Sequence, residues 1–174
     1  MLRNALLALI CLAAPGFAVA DRDPFLRFFP TATEVPGLKA MGDARYCGDA
    51  EELTVIYDGG YQRFVQAGVV SASQRFFQVP SGTVQVTLHE MKEEKAAETF
   101  LVSLCKDIKA PVESGAFKQP NSRLCTTSGQ DSAYGYLARG TLLAMVSIDR
   151  GDLKTARAVL RAIGDRATGA KRSR

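Results

Sequence analysis

The sequence predicts an α+β fold in two layers, a mostly antiparallel sheet built from hairpins with helices packed on one face. Two observations lead to this prediction. Apolar and polar residues alternate in two pairs of neighbouring segments, and a short turn joins the members of each pair. Each pair is followed by a segment whose apolar residues recur every three or four positions, which is typical of one face of a helix.

The composition is that of an ordinary globular domain. The 174 residues include 22 Lys and Arg against 18 Asp and Glu, a formal net charge of +4, and 47% are hydrophobic. These values exclude collagen-like, disordered and disulfide-dense chains. The charge is small and dispersed, so it does not indicate a nucleic-acid partner. The single histidine excludes sites that need two imidazoles.

Residues 1–20 have the organisation of a secretory signal peptide. Arg3 gives a positive start, residues 5–14 are continuously apolar, and Ala18-Val19-Ala20 supplies the small residues that cleavage requires. The apolar run is about half the length of a membrane-spanning helix. We therefore expect cleavage after Ala20 and export to the periplasm or the extracellular space, with no stable membrane anchor left. An uncleaved anchor is the alternative.

Residues 21–37 contain three prolines and a cluster of phenylalanines, Phe25, Phe28 and Phe29. The prolines argue against a continuous helix. This segment is therefore predicted to be an extended arm whose rings pack onto the core. The alternative is an exposed aromatic patch that docks on a partner, which is unusual on soluble monomers.

Two short helices are predicted next, after an irregular segment or short strand at residues 38–48. Asp49 begins the first helix, since its carboxylate can cap the free N–H groups of the first turn. Asp58-Gly59-Gly60 ends this helix, and residues 61–67 form a second one that stops at Gly68.

Residues 69–78 and 83–91 alternate between apolar and polar side chains and predict the first hairpin. We expect this hairpin to have one apolar face and one solvated face, with His89 on the solvated face. Residues 92–108 show the clearest helical periodicity in the chain. Residues 110–130 contain Pro and Gly and are predicted to be a loop.

A second hairpin is predicted from residues 132–138 and 141–149. The later strand is almost entirely apolar, so we expect it to be central in the sheet and covered on both faces. Asp152 caps a final helix. A single α+β domain therefore spans residues 38–167, and residues 168–174 form a basic, flexible tail.

Three cysteines remain after removal of the signal peptide, namely Cys47, Cys105 and Cys125. An exported protein meets an oxidising compartment, which favours a disulfide, and an odd number leaves at least one thiol unpaired within a monomer. The favoured pair is Cys105–Cys125, which flanks the predicted loop. Cys47–Cys125 is the second choice, and three buried thiols without a disulfide are the remaining alternative.

The candidate ligand-binding site is the turn between the two short helices, with the aromatic residues beside it. Glycines let a backbone approach a ligand closely, and free N–H groups at the start of the next helix attract anions. A tight turn with Asp58 as the helix cap is the alternative interpretation. The candidate residues are Tyr57, Asp58, Gly59, Gly60, Tyr61 and Phe64.

No residue is assigned to catalysis, to a metal or to a cofactor. The sequence has no nucleophile elbow, no metal-ligand cluster and no cofactor fingerprint. His89 precedes Glu90 and could act as a general base beside an acid. A solvated strand histidine is the preferred interpretation.

Residues 51–104 carry a longer pattern. Glu-Glu-Leu-Thr-Val-Ile-Tyr-Asp-Gly-Gly-Tyr leads through a short helix into the first hairpin, and Glu-Met-Lys-Glu-Glu-Lys-Ala-Ala-Glu-Thr-Phe opens the helix that follows. This arrangement resembles a family of exported bacterial proteins of unknown function that have an Asp-Gly-Gly turn followed by a hairpin and a helix. Pro36-Gly37 is similar to that family's opening, although Tyr61 replaces a small residue and the family's Trp is absent. The resemblance implies a secreted α+β domain and no particular activity.

The sequence therefore predicts an exported, non-enzymatic accessory or ligand-binding domain, with a cleft between the sheet and the short helices. Its partner is an unknown small ligand or an envelope protein. The first alternative is an envelope interaction module that docks through the aromatic arm at residues 21–37. The second alternative is an enzyme of unrecognised class.

Overall fold

The computed structural model describes residues 23–150 and 152–169. The predicted signal peptide, its cleavage site after Ala20, and residues 170–174 of the predicted tail lie outside the described residues. Seven strands form one antiparallel sheet in the order β1-β2-β3-β7-β6-β5-β4. The strands are β1 (Lys39–Cys47), β2 (Val69–Val79), β3 (Gly82–Met91), β4 (Glu113–Ser114), β5 (Ser122–Ser128), β6 (Ser132–Arg139) and β7 (Leu142–Asp149), and the helices are α1 (Gln62–Ala67), α2 (Glu94–Asp107) and α3 (Leu153–Gly169).

The α+β class, the antiparallel sheet and both predicted hairpins are confirmed. β2 pairs with β3 and β6 pairs with β7, while β7 lies in the middle of the sheet between β3 and β6. Both predicted caps are also present. The Asp49 carboxylate accepts hydrogen bonds from the N–H groups of Glu51 and Glu52 at 2.9 and 3.0 Å, and Asp152 accepts one from Thr155 at 2.6 Å.

Three strands, β1, β4 and β5, lie where the sequence predicted a loop or, at residues 38–48, an irregular segment or short strand. Residues 110–130 are not a loop throughout, because β5 pairs with β6 over its whole length and with the short β4 on its other side. β5 reads Ser-Arg-Leu-Cys-Thr-Thr-Ser, and its mostly polar ends conceal the alternation. β1 is a nine-residue strand at the sheet edge, interrupted by a bulge between Met41 and Arg45. α3 continues to Gly169 and so extends into the predicted tail.

The layering differs from the prediction, since helices cover both faces of the sheet. Alternate residues of β7 belong to two separate cores: Leu142, Ala144, Val146 and Ile148 pack on the α3 side, whereas Leu143 packs on the α2 side. Successive strand residues point to opposite faces, so α2 and α3 lie on opposite sides of the sheet. A nearly continuous apolar strand needs apolar cover on both faces, and this requirement accounts for the third layer.

The first hairpin has no wholly solvated face. Gln74, Thr87 and His89 lie on its polar side, and each of them is buried. α1 and α2 pack over this side, and Arg63 of α1 donates hydrogen bonds to Ser103 and Asp107 of α2. The Nε2 group of Gln74 donates to the Thr87 hydroxyl at 3.3 Å, which partly satisfies the buried polar groups.

The N-terminal arm is part of the core. Phe25 and Phe29 are 2% and 3% exposed and belong to the core on the α3 side. The chain forms a short 3₁₀ helix at Leu26–Phe28, and Arg166 of α3 makes two hydrogen bonds to the Glu34 carboxylate. The packed arm that the sequence predicted is therefore present, and the docking alternative is wrong for these two rings because they have no free surface.

The predicted disulfide is present. Cys105 of α2 is bonded to Cys125 of β5, with Cα atoms 6.0 Å apart. Cys47 belongs to β1, the strand at one edge of the sheet, and its thiol is buried and free. Four strands separate β1 from β5, so the second choice, Cys47–Cys125, is wrong.

Replacing both Cys105 and Cys125 by alanine is expected to lower the free energy of unfolding by about 3 kcal/mol, because the link closes a loop of about 20 residues in the unfolded chain. Urea denaturation followed by circular dichroism measures this change. A reductant should bring the wild type to the midpoint of the variant and leave the variant unchanged. A variant as stable as the oxidised wild type would contradict the assignment.

Phe25→Ala is expected to destabilise the protein by about 3 to 5 kcal/mol, as truncation of a buried ring does. The neighbouring Leu26 is 42% exposed, so Leu26→Ala serves as the matched control and should change stability by less than about 0.5 kcal/mol. Thermal melting compares the two. Equally small effects would mean that the arm does not pack against the sheet.

Candidate functional site

The predicted Asp58-Gly59-Gly60 turn is exposed and stands away from the rest of the protein. Gly59 and Gly60 have φ angles of 88° and 69°, and a Cβ atom on either would meet nothing within 4 Å. The glycines therefore serve the backbone conformation of the turn. Asp58 is not the predicted helix cap, because α1 begins at Gln62, and its N-cap position is Tyr61, which makes no side-chain capping hydrogen bond.

The aromatic residues beside this turn fill the predicted cleft. The rings of Tyr57 and Phe64 stack with centroids 4.0 Å apart, and the other contacts of Phe64 are with His89 at 5.5 Å and the edge of Phe100 at 5.4 Å. Tyr61 packs partly buried against the same core. The six candidate residues thus form an exposed turn above a packed aromatic stack, and ligand binding there stays a prediction.

His89 is fully buried, contrary to the prediction of a solvated histidine. Its Nδ1 atom lies 3.2 Å from the carbonyl oxygen of Leu143, which can only accept, so Nδ1 carries the proton. Nε2 then accepts the Tyr57 hydroxyl hydrogen at 2.5 Å. The rings of Tyr57 and of Phe64 on α1 stack against the imidazole. The burial of His89 lowers its pKa to about 4.

Cys47 is equally unsuited to chemistry. Its thiol is buried, and its Sγ atom donates to the carbonyl oxygen of Glu52 at 3.1 Å. Burial raises the pKa of Cys47 to about 11, so the thiolate that acts as a nucleophile does not form near neutral pH. Within residues 23–150 and 152–169, no group of three or more His, Cys, Asp or Glu is placed to hold a metal ion.

A shallow groove of about 370 Å³ lies between the end of α1 and the outer face of α2. Lys92, Glu93 and Lys95 line one part of it, and Phe100 lies at its base. Charges of both signs and exposed alkyl chains give this groove no single chemical character.

Part of the α2 face of the sheet is left uncovered. A row of directly paired residues crosses six strands, and none of its side chains is buried. We call this row, together with the partly exposed Met145 beside it, the open floor. In order across the sheet the row consists of Met41, Phe76, Gln85, Ser147, Tyr134 and Thr127.

The cover ends at the adjacent row. That row contains Gln74, Thr87, Tyr136 and Cys125, all of which are buried. Cys125 carries the disulfide to α2, so the link marks the last covered row. Sequence reasoning missed the open floor because its residues come from six strands. The one local signal is the alternating pattern of β6, which places Tyr134 and Tyr136 on the same face.

The open floor combines exposed apolar surface with neutral polar groups. Met41 is 46% exposed and Tyr134 is 36% exposed. The polar groups of the row are the amide of Gln85 and the hydroxyls of Ser147 and Thr127. None of the seven residues is charged. Charged side chains flank the floor on this face: Arg45 lies in the adjacent row, paired with Gln74, and Lys39 and Asp149 lie one row farther out.

The sequence matches no protein-family model and no curated protein. Two chains among the solved structures match the fold. One is the extracellular domain of PknH from Mycobacterium tuberculosis, which is 9% identical in sequence and gives a TM-score of 0.56. The comparison covers 82% of this chain and 93% of that chain. At this identity the similarity establishes the α+β fold alone.

Stability is expected to fall as the pH decreases from about 6.5 to 4. The pKa of His89 is lowered to about 4 by burial, whereas an unfolded histidine titrates near 6.5. Between these values the unfolded chain binds the proton and the folded chain does not. The loss should approach roughly 3 kcal/mol at the acid end.

Urea denaturation at pH 7 and pH 5 measures this dependence. His89→Gln is the matched variant, since its side chain cannot titrate, and it should show a shallower change in unfolding free energy across this interval. Identical pH profiles for the variant and the wild type would contradict the buried neutral imidazole.

Proposed function

We propose that this chain is an exported, non-enzymatic ligand-binding domain and that the open floor is its binding surface. The observation that carries the proposal is the unburied row from Met41 to Thr127, which combines exposed apolar side chains with neutral polar groups, as ligand-binding surfaces do. The ligand would lie across the strands, beside the end of α2.

Export is supported by three independent features. Residues 1–20 have the pattern of a signal peptide. The bond between Cys105 and Cys125 is typical of oxidising compartments. One solved structure with a similar fold is an extracellular domain of another protein. Among the described residues, no helix combines the length and hydrophobicity needed to cross a membrane.

A non-enzymatic role is supported by the state of the groups that could do chemistry. Both ring nitrogens of His89 are engaged in hydrogen bonds inside the core. The Cys47 thiol is buried and its pKa is raised. Neither group reaches the open floor, whose side chains are thioethers, aromatic rings, hydroxyls and an amide. Such groups fix the orientation of a bound ligand.

Three methionines in the described chain report on the proposed surface. Met41 and Met145 belong to the open floor, and Met91 is 1% exposed in the core. Protein labelled with ¹³C at the methionine methyl groups can be titrated with a soluble extract of bacterial cell envelopes. We expect the methyl signals of Met41 and Met145 to shift together while the Met91 signal stays.

Tyr134→Arg places a charge in the open floor and should abolish these shifts. Val102→Arg is the matched control, because Val102 lies on the outer face of α2 and is 44% exposed. The control should leave the shifts unchanged. The proposal is wrong if the extract moves neither floor methyl group at any concentration. It is also wrong if Tyr134→Arg and Val102→Arg respond to the extract alike.

A further inference from the structure

We infer that residues 48–68 form a strap that opens in acid, because protonation of His89 releases this segment from the sheet while the rest of the domain stays folded. The strap contains a short 3₁₀ helix, Glu51–Val55, and α1. A change of shape controlled by pH goes beyond the ligand binding proposed above and does not depend on it.

The strap is attached to the rest of the domain at few points. Residues 48–68 contain no strand, and only Leu53 and Phe64 among them are buried. Near one end the Cys47 thiol donates to the Glu52 carbonyl oxygen, and near the other Arg63 forms an exposed ion pair with Asp107 of α2. Segments with so few buried apolar contacts open locally at a lower free energy than the core.

His89 is the polar joint between the strap and the sheet. Its Nδ1 group donates to the carbonyl oxygen of Leu143 on β7, and its Nε2 atom accepts the hydroxyl hydrogen of Tyr57 in the strap at 2.5 Å. The rings of Tyr57 and Phe64 stack beside the imidazole. One strap residue is therefore held by a hydrogen bond that exists only while Nε2 has no proton.

A proton taken from solvent converts Nε2 from an acceptor into a donor. The Tyr57 hydroxyl hydrogen must then turn away from the ring, and a cation remains inside an aromatic stack, where burial of charge is costly. β3 is paired with β2 on one side and with β7 on the other, so the strand that carries His89 is fixed. The strap is the cover that moves to admit water to the ring.

The groups around the imidazole supply no buried counter-charge. Tyr57 contacts it directly, and Cys47 of β1 and Tyr136 of β6 act on the Tyr57 hydroxyl. Burial raises the pKa of all three groups, so they are neutral near pH 7. Every charged side chain of the strap, of α2 and of β1, β2, β3, β5, β6 and β7 is at least partly exposed. Those on the neighbouring elements include Arg45, Glu52, Arg63, Glu90, Asp107 and Arg123.

The opening equilibrium constant of the strap should rise about 20-fold between pH 7 and pH 5. An exposed histidine titrates near 6.5, whereas burial lowers the pKa of His89 to about 4 in the closed form. The open form therefore binds a proton that the closed form does not. The rise should be about threefold from pH 7 to 6 and about sevenfold from pH 6 to 5. The chain has a single histidine, so no second one contributes.

Amide hydrogen exchange followed by NMR at pH 7, 6 and 5 tests the opening. Protection factors, which correct for the intrinsic pH dependence of exchange, are compared between the strap and β7. The strap probes are the N–H groups of Tyr57, Phe64 and Val65, which donate to carbonyl oxygens within the strap. We expect them to be less protected than β7 at every pH and to lose protection about 20-fold from pH 7 to 5.

Three variants identify the cause. His89→Gln should abolish the pH dependence in the strap, since its side chain does not titrate. Tyr57→Phe removes the hydroxyl that His89 binds, so it should lower strap protection at pH 7 and keep the pH dependence. Tyr61→Phe is the matched control, because it removes the same atom from another partly buried ring of the strap, and it should behave as the wild type.

Two results would overturn the inference. Strap amides as protected as those of β7 would mean that the segment opens only when the whole domain unfolds. Strap protection factors that stay constant from pH 7 to 5, or that fall equally in His89→Gln, would mean that the imidazole does not control the opening. If His89→Gln does not fold, the wild type decides, because one buried histidine requires the threefold and then sevenfold steps.

Discussion

The covalent link between the end of α2 and β5 determines which part of the sheet meets solvent. Cys125 lies in the row of Gln74 and Thr87, and its bond to Cys105 fixes the helix at that row. On one side of the link, α1 and α2 bury even polar strand residues such as His89. On the other side, the side chains in the row from Met41 to Thr127 are partly or wholly exposed. The link therefore separates the packed core from the candidate binding surface.

The opposite face of the sheet is covered by α3 and the N-terminal arm together. α3 packs along β5, β6 and β7, and the N-terminal arm adds Phe25 and Phe29 over the strands that α3 does not reach. Arg166 of α3 joins the two pieces through Glu34. One face is thus closed by a helix and an arm together. On the other face the described helices α1 and α2 lie near one end only, and this asymmetry leaves the open floor partly exposed.

Local sequence patterns predicted most helices and strands, whereas the pairing of β5 and the layering of the helices depend on long-range packing. The alternation in residues 83–91 and the stripe in residues 92–108 are read directly from neighbouring residues, so β3 and α2 were predicted. The favoured cysteine pair also followed from spacing and compartment. The polar ends of β5 hid its alternation, and only pairing with β6 makes it a strand.

The errors at the site have the same origin. The pattern of its own strand predicts a solvated His89, whereas the rings of Tyr57 and Phe64, from an earlier part of the chain, stack on it and Tyr57 donates a hydrogen bond to it. The pattern of the second hairpin required cover on both faces, yet it could not show that α2 and α3 supply it from opposite sides. The open floor brings together residues from Met41 to Ser147, so it exists only once the sheet order is known.

The central claim is that the row beside the disulfide is uncovered in the folded protein. Oxidation by dilute peroxide, read by peptide mass spectrometry, tests this claim directly because methionine oxidises according to its exposure. Met41 is 46% exposed, Met145 is partly exposed, and Met91 is 1% exposed. The account predicts that Met41 and Met145 oxidise well before Met91. If Met145 were protected as fully as Met91, the floor would be covered, and the account of the binding surface would be wrong.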